Sequence, residues 1–318
     1  MGPGFRWDGK GYFAPRSLTL CQHACALSIN DTLSAAVSIG FHGLAFAMVL
    51  YLISVGLSVT MGLMGFVNLA HGAFAMAGGY ALSTLMSHFD LPFWVALAGA
   101  IGIVVLASLV LERLLYRRLY GGDELDQVLM TMGLIFMTVG AATYFWGPVA
   151  QPIRPPELLN GQIQLGSRDF PTYRSFIILC GVALVTGLWL ALERTRFGAQ
   201  VRAAVDNLRM AQSVGINTSR LFALTFALGS GLAALGGALG GEFFPIVPGY
   251  ALGNLVYFLI VVAVGGLGSI RGPFVAALLV GTADTAFKYI APELGAFFIY
   301  ALTMAILLWR PRGLFGHA

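Results

Sequence analysis

Between Leu33 and Met64 the chain carries no Asp, Glu, Lys or Arg. About 20 apolar residues, at about 1.5 Å each, cross the hydrocarbon of a bilayer as a helix. This uncharged run is longer than one crossing needs, so lipid is the expected solvent for at least this part of the chain. The rest agrees. Apolar residues make up 58% and charged residues 10%, where soluble domains carry about 25% charged residues. That leaves too little polar surface for a water-soluble globule and excludes cytosolic enzymes and disordered linkers.

Polar breaks between apolar runs delimit the spans. The first is expected at Gly40 to Met64, and the second at Ala73 to Ser87, after the Gly-rich break GFVNLAHG (Gly65 to Gly72). Phe93 to Leu111, Val128 to Trp146, Ser175 to Leu192 and Leu221 to Gly241 follow, then Leu252 to Leu267, Pro273 to Ile290 and Ala296 to Trp309. The fold class is therefore all-α, a polytopic membrane helix bundle of about eight or nine transmembrane helices with a helix break after the first. Residues 1–39 read as an N-terminal extension and 40–316 as the membrane-spanning domain.

Basic residues accumulate on the cytoplasmic side of membrane spans. Alternating sides gathers eleven of them together: Arg113 to Arg118, Arg194 to Arg220, Arg271, Arg310 and Arg312. The opposite loops hold Arg154, Arg168 and Arg174. This asymmetry puts the C-terminus and the segment 193–220 in the cytoplasm, and the polar loop 147–174 outside. With nine spans the N-terminus is also outside.

Few strings carry chemistry. Gly4 to Gly11, GFRWDGKG, imitates a phosphate loop but has no preceding strand and no hydroxyl for Mg²⁺. CQHAC (Cys21 to Cys25) offers two thiols and one imidazole, too few for a metal site without another cluster. No H-E-x-x-H or G-x-S-x-G occurs among the residues. No catalytic residue, metal site or cofactor is expected in this chain, so any ATP and Mg²⁺ use belongs to partner subunits.

Ionisable and polar groups inside spans are costly and must face protein or water. Asn68 and His71 sit in the break after the first span, followed by Gly72. Broken helices of this kind present hydrogen-bonding groups to a polar solute at mid-depth, and a satisfied interior imidazole is the alternative for His71. Asp284 and Lys288, four apart on one helix face, form an intramembrane ion-pair candidate. Glu242 ends the sixth span and reads as a snorkelling terminus. The stripe GSGLAALGGALGG (Gly229 to Gly241) suits close helix approach, within the subunit first and at a pore or subunit interface second.

Between the fifth and sixth spans, Val201 to Val214 reads as one short amphipathic helix. Val201, Ala204, Val205, Leu208 and Ala211 share one side, with Arg202, Asp206 and Arg209 toward the other, and Gly215 ends it. Docking to a soluble partner is the favoured use, and lying on anionic lipid is the alternative.

These residues together resemble the permease subunits of ABC importers for branched-chain (hydrophobic) amino acids, the H-type subunit. Three stretches carry the likeness: GLMGFVNLAHGAFAMAGGYAL (Gly62 to Leu82), Arg194 to Gly237, and GGLGSIRGP (Gly265 to Pro273) with RPRGLFG (Arg310 to Gly316). The resemblance implies a multi-pass protein of the bacterial inner membrane working with ABC ATPase subunits, a second permease subunit of the same or a sister chain, and an extracytoplasmic solute-binding protein, and not with nucleic acid. It further implies that Arg202, Asp206, Arg209 and Gly215 belong to an ATPase-coupling element, that 147–174 helps receive the binding protein, and that Asn68, His71 and Gly72 lie on the solute pathway. Ala73 stands where members often have an acidic residue. Urea and short-amide importers share these signatures. From other classes, an ion-coupled secondary transporter would use Asp284 and Lys288 as a relay, and an integral-membrane enzyme would use His71.

Overall fold

The computed structural model describes residues 29–315 apart from 67, 121, 166, 167, 267, 268 and 270. The strings GFRWDGKG and CQHAC lie outside the described residues. The helix bundle is carried by the compact unit Ile39–Ala318.

The uncharged runs become α1 (Ile29–Met64), α2 (His71–Ser87), α3 (Phe93–Leu119), α4 (Glu124–Trp146) and α5 (Thr172–Arg194). Then come α6 (Arg196–Asp206), α7 (Leu208–Ser213), α8 (Thr218–Leu239), α9 (Tyr250–Gly265), α10 (Arg271–Ile290) and α11 (Gly295–Trp309). Five of these, α1, α3, α4, α5 and α8, are long and apolar enough to cross a membrane, and α9 and α11 are shorter apolar helices. The chain is a helical, multi-pass membrane protein.

Two helices outrun their expected limits by two turns or more. The helix containing the first span starts at Ile29. α3 continues past Glu112 through a π turn at Glu112–Tyr116. One extra residue per turn re-aims the side chains there, and Glu112, buried, accepts a 2.8 Å hydrogen bond from the Tyr120 hydroxyl. The charge that marked the end of a span is thereby accommodated inside a helix.

α1 is the axis of the bundle. From Ala45 to Thr60 nearly every side chain is buried on all sides, as an all-round apolar helix requires. Glycines let its neighbours approach. Val49, Ile53 and Gly56 of α1 meet Gly240, Gly236 and Gly229 at or along α8, Ala47 meets Gly281 of α10, and Met48 meets Gly181 of α5. On the other face of α8, Gly237 lies on the main chain of Ala75, and Gly78 of α2 lies on that of Ala234. The glycine stripe of Gly229 to Gly241 is thus spent on packing within the subunit.

Direct contacts define two ends. At the basic end, Tyr120 packs on Phe222, Arg271 pairs with Glu193 at 3.3 Å, and Leu314 N–H bonds the Val264 carbonyl at 2.7 Å. At the other end Arg174 pairs with Glu242 at 3.3 Å and donates to His42 Nδ1 at 2.8 Å. Glu242 is therefore paired there as well as placed at a helix end. The loop 147–174 adds one feature to the helical class: a hairpin of β1 (Gln162–Leu165) and β2 (Arg168–Pro171), antiparallel, with Ile163 opposite Phe170. Its alternation QIQL is a short strand pattern.

Because a Cβ on Gly237 would fall on backbone, which cannot rotate away, Gly237→Val is expected to destabilise by about 1–3 kcal/mol or more. Gly133→Ala and Gly140→Ala on α4, where nothing lies within 4 Å, should be neutral or slightly stabilising. Unfolding midpoints in detergent should rank the variants in that order.

Candidate functional site

The first candidate region is the break between α1 and α2. Gly65 adopts φ +60°, a left-handed geometry that a Cβ would strain, and α2 restarts at His71. His71 Nε2 donates to the Ile53 carbonyl at 3.0 Å, so the first residue of α2 is tied to the middle of α1. Asn68 Oδ1 accepts from the Tyr116 hydroxyl at 3.1 Å, on the π turn of α3. Gly72 faces the Ala251 carbonyl of α9, which a Cβ would approach to 3.1 Å.

The sequence leaves two uses open for the amide and imidazole groups, display to a polar solute or, for His71, a satisfied place in the interior. The structure buries both groups, with Asn68 1% and His71 2% exposed. The physical reason is that the break closes on itself: main chain of α1 and a tyrosine of α3 occupy the polar groups, and Phe66 and Phe226 pack on Tyr116 at 5.3 and 4.6 Å. Asn68 Nδ2 is buried with no hydrogen-bond partner among the described residues. The break thus joins α1, α2, α3 and α9 at one point.

The second region is the 193–220 segment at the basic end. Thr195 opens α6, its Oγ1 accepting from Gly198 N–H at 3.3 Å, a helix N-cap. Arg202 Nη1 donates to the Leu192 carbonyl, bracing α6 on the end of α5. The expected single helix Val201 to Val214 is in fact two. Asn207, at φ −155°, breaks the run and caps α7 by accepting from Met210 N–H at 3.0 Å. Asn competes with the helix backbone by such local bonds, a signal that apolar periodicity alone overrides.

α7 then ends in a Schellman arrangement. Ile216 N–H bonds the Ala211 carbonyl and Gly215 N–H the Gln212 carbonyl, both at 3.0 Å, with Gly215 at φ +88°. Asn217 caps α8 through Arg220 N–H at 3.1 Å. Every turn of the segment is therefore fixed by a named bond.

The break also divides the apolar side. Val201, Ala204 and Ala211 bury with Leu192, Leu221 and Phe222 in a small core. Val205 and Leu208, expected to share that face, are turned outward at 40% and 37% exposed, beside Met210 at 64% and Val214 at 74%. Arg202, Asp206, Arg209 and Gly215 are exposed around them. Val205, Leu208, Met210 and Val214 thus leave apolar side chains exposed on an otherwise polar, capped element.

The third pair is separate from both. Lys288 Nζ lies 2.7 Å from Asp284 Oδ2, with Asp284 2% exposed and Lys288 49%. The ammonium stands 5.8 Å from the ring centroids of Phe46 and Tyr257, within cation–π range. Among the described residues no three His, Cys, Asp or Glu side chains gather in a way that would hold a metal.

The profile of the family described as the permease component of branched-chain amino acid transport systems matches residues 39–307. The high-affinity branched-chain amino acid transport system permease protein LivH of Escherichia coli (strain K12) is 28% identical over 293 residues, covering 87% of this chain and 94% of that protein. The corresponding BraD protein of Pseudomonas aeruginosa is 29% identical over 291 residues, with the same coverage. A probable branched-chain amino acid transport permease protein of Methanocaldococcus jannaschii is 26% identical over 290 residues, 85% of this chain and 90% of that protein. No solved structure matches significantly. A match running from within α1 to within α11 takes in the helix break and the capped segment alike, and by it the chain belongs to the family of branched-chain amino acid transport permease components.

Proposed function

We propose that this chain is the membrane gate through which branched-chain amino acids enter the cell, with no engine of its own. The observation that carries the coupling part of the reading is the outward apolar set Leu208, Met210 and Val214 on the capped α6–α7 element. A surface so fixed and so apolar fits a soluble ATPase that hydrolyses ATP with Mg²⁺, with Arg202, Asp206 and Arg209 as its charged rim and Gly215 as the joint that sets its angle. The names of the relatives support the solute. Arginines gathered at one end support a bacterial inner-membrane placement with that end in the cytoplasm.

In this reading the hairpin-bearing loop 147–174 receives an extracytoplasmic solute-binding protein, and a second permease, a copy or a sister chain, completes the path. Asn68, His71 and Gly72 act as the joint between α1 and α2 that moves when the gate switches. The bonds from His71 to α1 and from Asn68 to α3 are the contacts such a movement exchanges, in keeping with the two-state packings that transporters use.

The test is uptake into proteoliposomes. The chain reconstituted with ATPase, sister permease and loaded binding protein is expected to accumulate labelled leucine on ATP addition, and to leave urea and acetamide outside. The chain alone should take up nothing under a proton or sodium gradient. Gradient-driven uptake by the isolated chain would replace this reading by a secondary transporter, and urea uptake by the complex would move the solute to the amide class.

A further inference from the structure

Two cavities meet at the basic end. One, of about 400 Å³, is lined by Trp189 and Glu193 of α5, Arg202 and Asp206 of α6, and Arg271 at the start of α10. The other, of about 280 Å³, is lined by Val185, Phe274 and Val275. Trp189, Arg271 and Phe315 line both, so the two form one crevice between α5 and α10.

The crevice changes character along its length. Val185 lies one helical turn from Trp189, away from the Glu193 end of α5, and Val275 one turn from Arg271. With the basic end at a bilayer surface, the polar cavity would lie at that surface and the apolar one a turn deeper, with Trp189, 38% exposed, between them, as tryptophans concentrate at such boundaries. The polar part holds both signs: Arg202 and Arg271 against Glu193 and Asp206. Arg271 and Glu193 pair at 3.3 Å but remain 65% and 45% exposed, so each keeps bonding capacity for a visitor.

We propose that this crevice binds a phospholipid with a zwitterionic, primary-ammonium headgroup, of the phosphatidylethanolamine class. Its phosphate meets the guanidinium of Arg271, a planar fork suited to phosphate oxygens. Its ammonium donates to Glu193 or Asp206, and an acyl chain lies along Val185, Phe274 and Val275. A trimethylammonium headgroup has no N–H to donate, and a glycerol headgroup has no cation for the carboxylates. The bound lipid sits between α5, α6 and α10 and, resting on the docking role proposed for α6–α7, links that segment to a helix packed on α1.

Native mass spectrometry of the full chain, released from nanodiscs of equal parts phosphatidylethanolamine, phosphatidylcholine and phosphatidylglycerol, tests this. The ethanolamine lipid is expected to be retained about tenfold over each of the others, as one charge-assisted hydrogen bond implies. Arg271→Gln and Val275→Trp should each abolish the preference, the second by filling the apolar cavity with the charges intact. Arg271→Lys should keep most of it. A photo-reactive residue at position 275 should cross-link to lipid in the assembled complex. Equal retention of the three lipids, preference surviving in both disabling variants, or cross-linking to a partner protein instead would each overturn the assignment.

Discussion

Met210→Glu is expected to reduce ATP-driven solute uptake by the assembled complex at least about a hundredfold while leaving membrane insertion and the unfolding midpoint of the chain unchanged. Met210 is 64% exposed and α7 is held by its caps, so a carboxylate there costs the isolated subunit little. Against a partner's apolar groove the same carboxylate becomes a buried charge with no counterion, a penalty of several kcal/mol, and each 1.4 kcal/mol is tenfold in an equilibrium. Gly215→Pro should uncouple by a different route. At φ +88° a proline cannot be accommodated, and the N–H that bonds Gln212 is lost, so α7 leaves its angle with its surface chemistry intact. Co-purification of the ATPase separates the cases: Met210→Glu should lose it outright, and Met210→Ala should keep it. Normal uptake with Met210→Glu would mean that the partner sits elsewhere.

Arg202 serves two ends at once. Sequence spacing placed it on the polar face with Asp206 and Arg209, and it is exposed there, yet its guanidinium also holds the end of α5 through the Leu192 carbonyl. Arg202→Glu therefore alters a brace and a surface at once, whereas Arg209→Glu reads mainly the surface.

The positions of the membrane helices were legible because a bilayer imposes one simple rule, a run of apolar residues of fixed length, which α1, α3, α4, α5 and α8 meet, while α9 and α11 are apolar but shorter. Legibility fails where a local bond overrides the rule. Glu112 marked the end of a span, but Tyr120, two turns on, satisfies the carboxylate and α3 continues. Asn207 lies inside an amphipathic pattern, and its side chain ends one helix by capping the next. Long-range partners are less legible still. Asn68 and His71 stood out as polar groups in a helix break, but their partners Tyr116 and Ile53 lie on other helices, so nothing in the string told enclosure from exposure. The glycine stripe had the opposite outcome: its spacing announced close packing, and only the tertiary contacts told that the neighbours are α1 and α2 of the same chain.

Lys288→Met is expected to destabilise the chain by about 3–5 kcal/mol. Asp284 is 2% exposed, and its second oxygen, Oδ1, is buried with no hydrogen-bond partner among the described residues. Its charge thus leans on Lys288 Nζ at 2.7 Å. Removing the cation leaves a carboxylate among apolar helices. Removing both, as in Asp284→Leu with Lys288→Met, leaves neither charge, and buried pairs replaced by apolar residues are often neutral or better. The double variant should therefore recover most of the midpoint lost by the single one. The comparison also weighs the two transport readings against each other. If the pair is a packing device, a stable double variant in the assembled complex should retain ATP-driven leucine uptake within a few-fold of the parent. If Asp284 and Lys288 relay ions, the double variant should fold and transport nothing. A single variant as stable as the parent would show that Asp284 finds its counter-charge elsewhere, and the ion pair would lose its structural role.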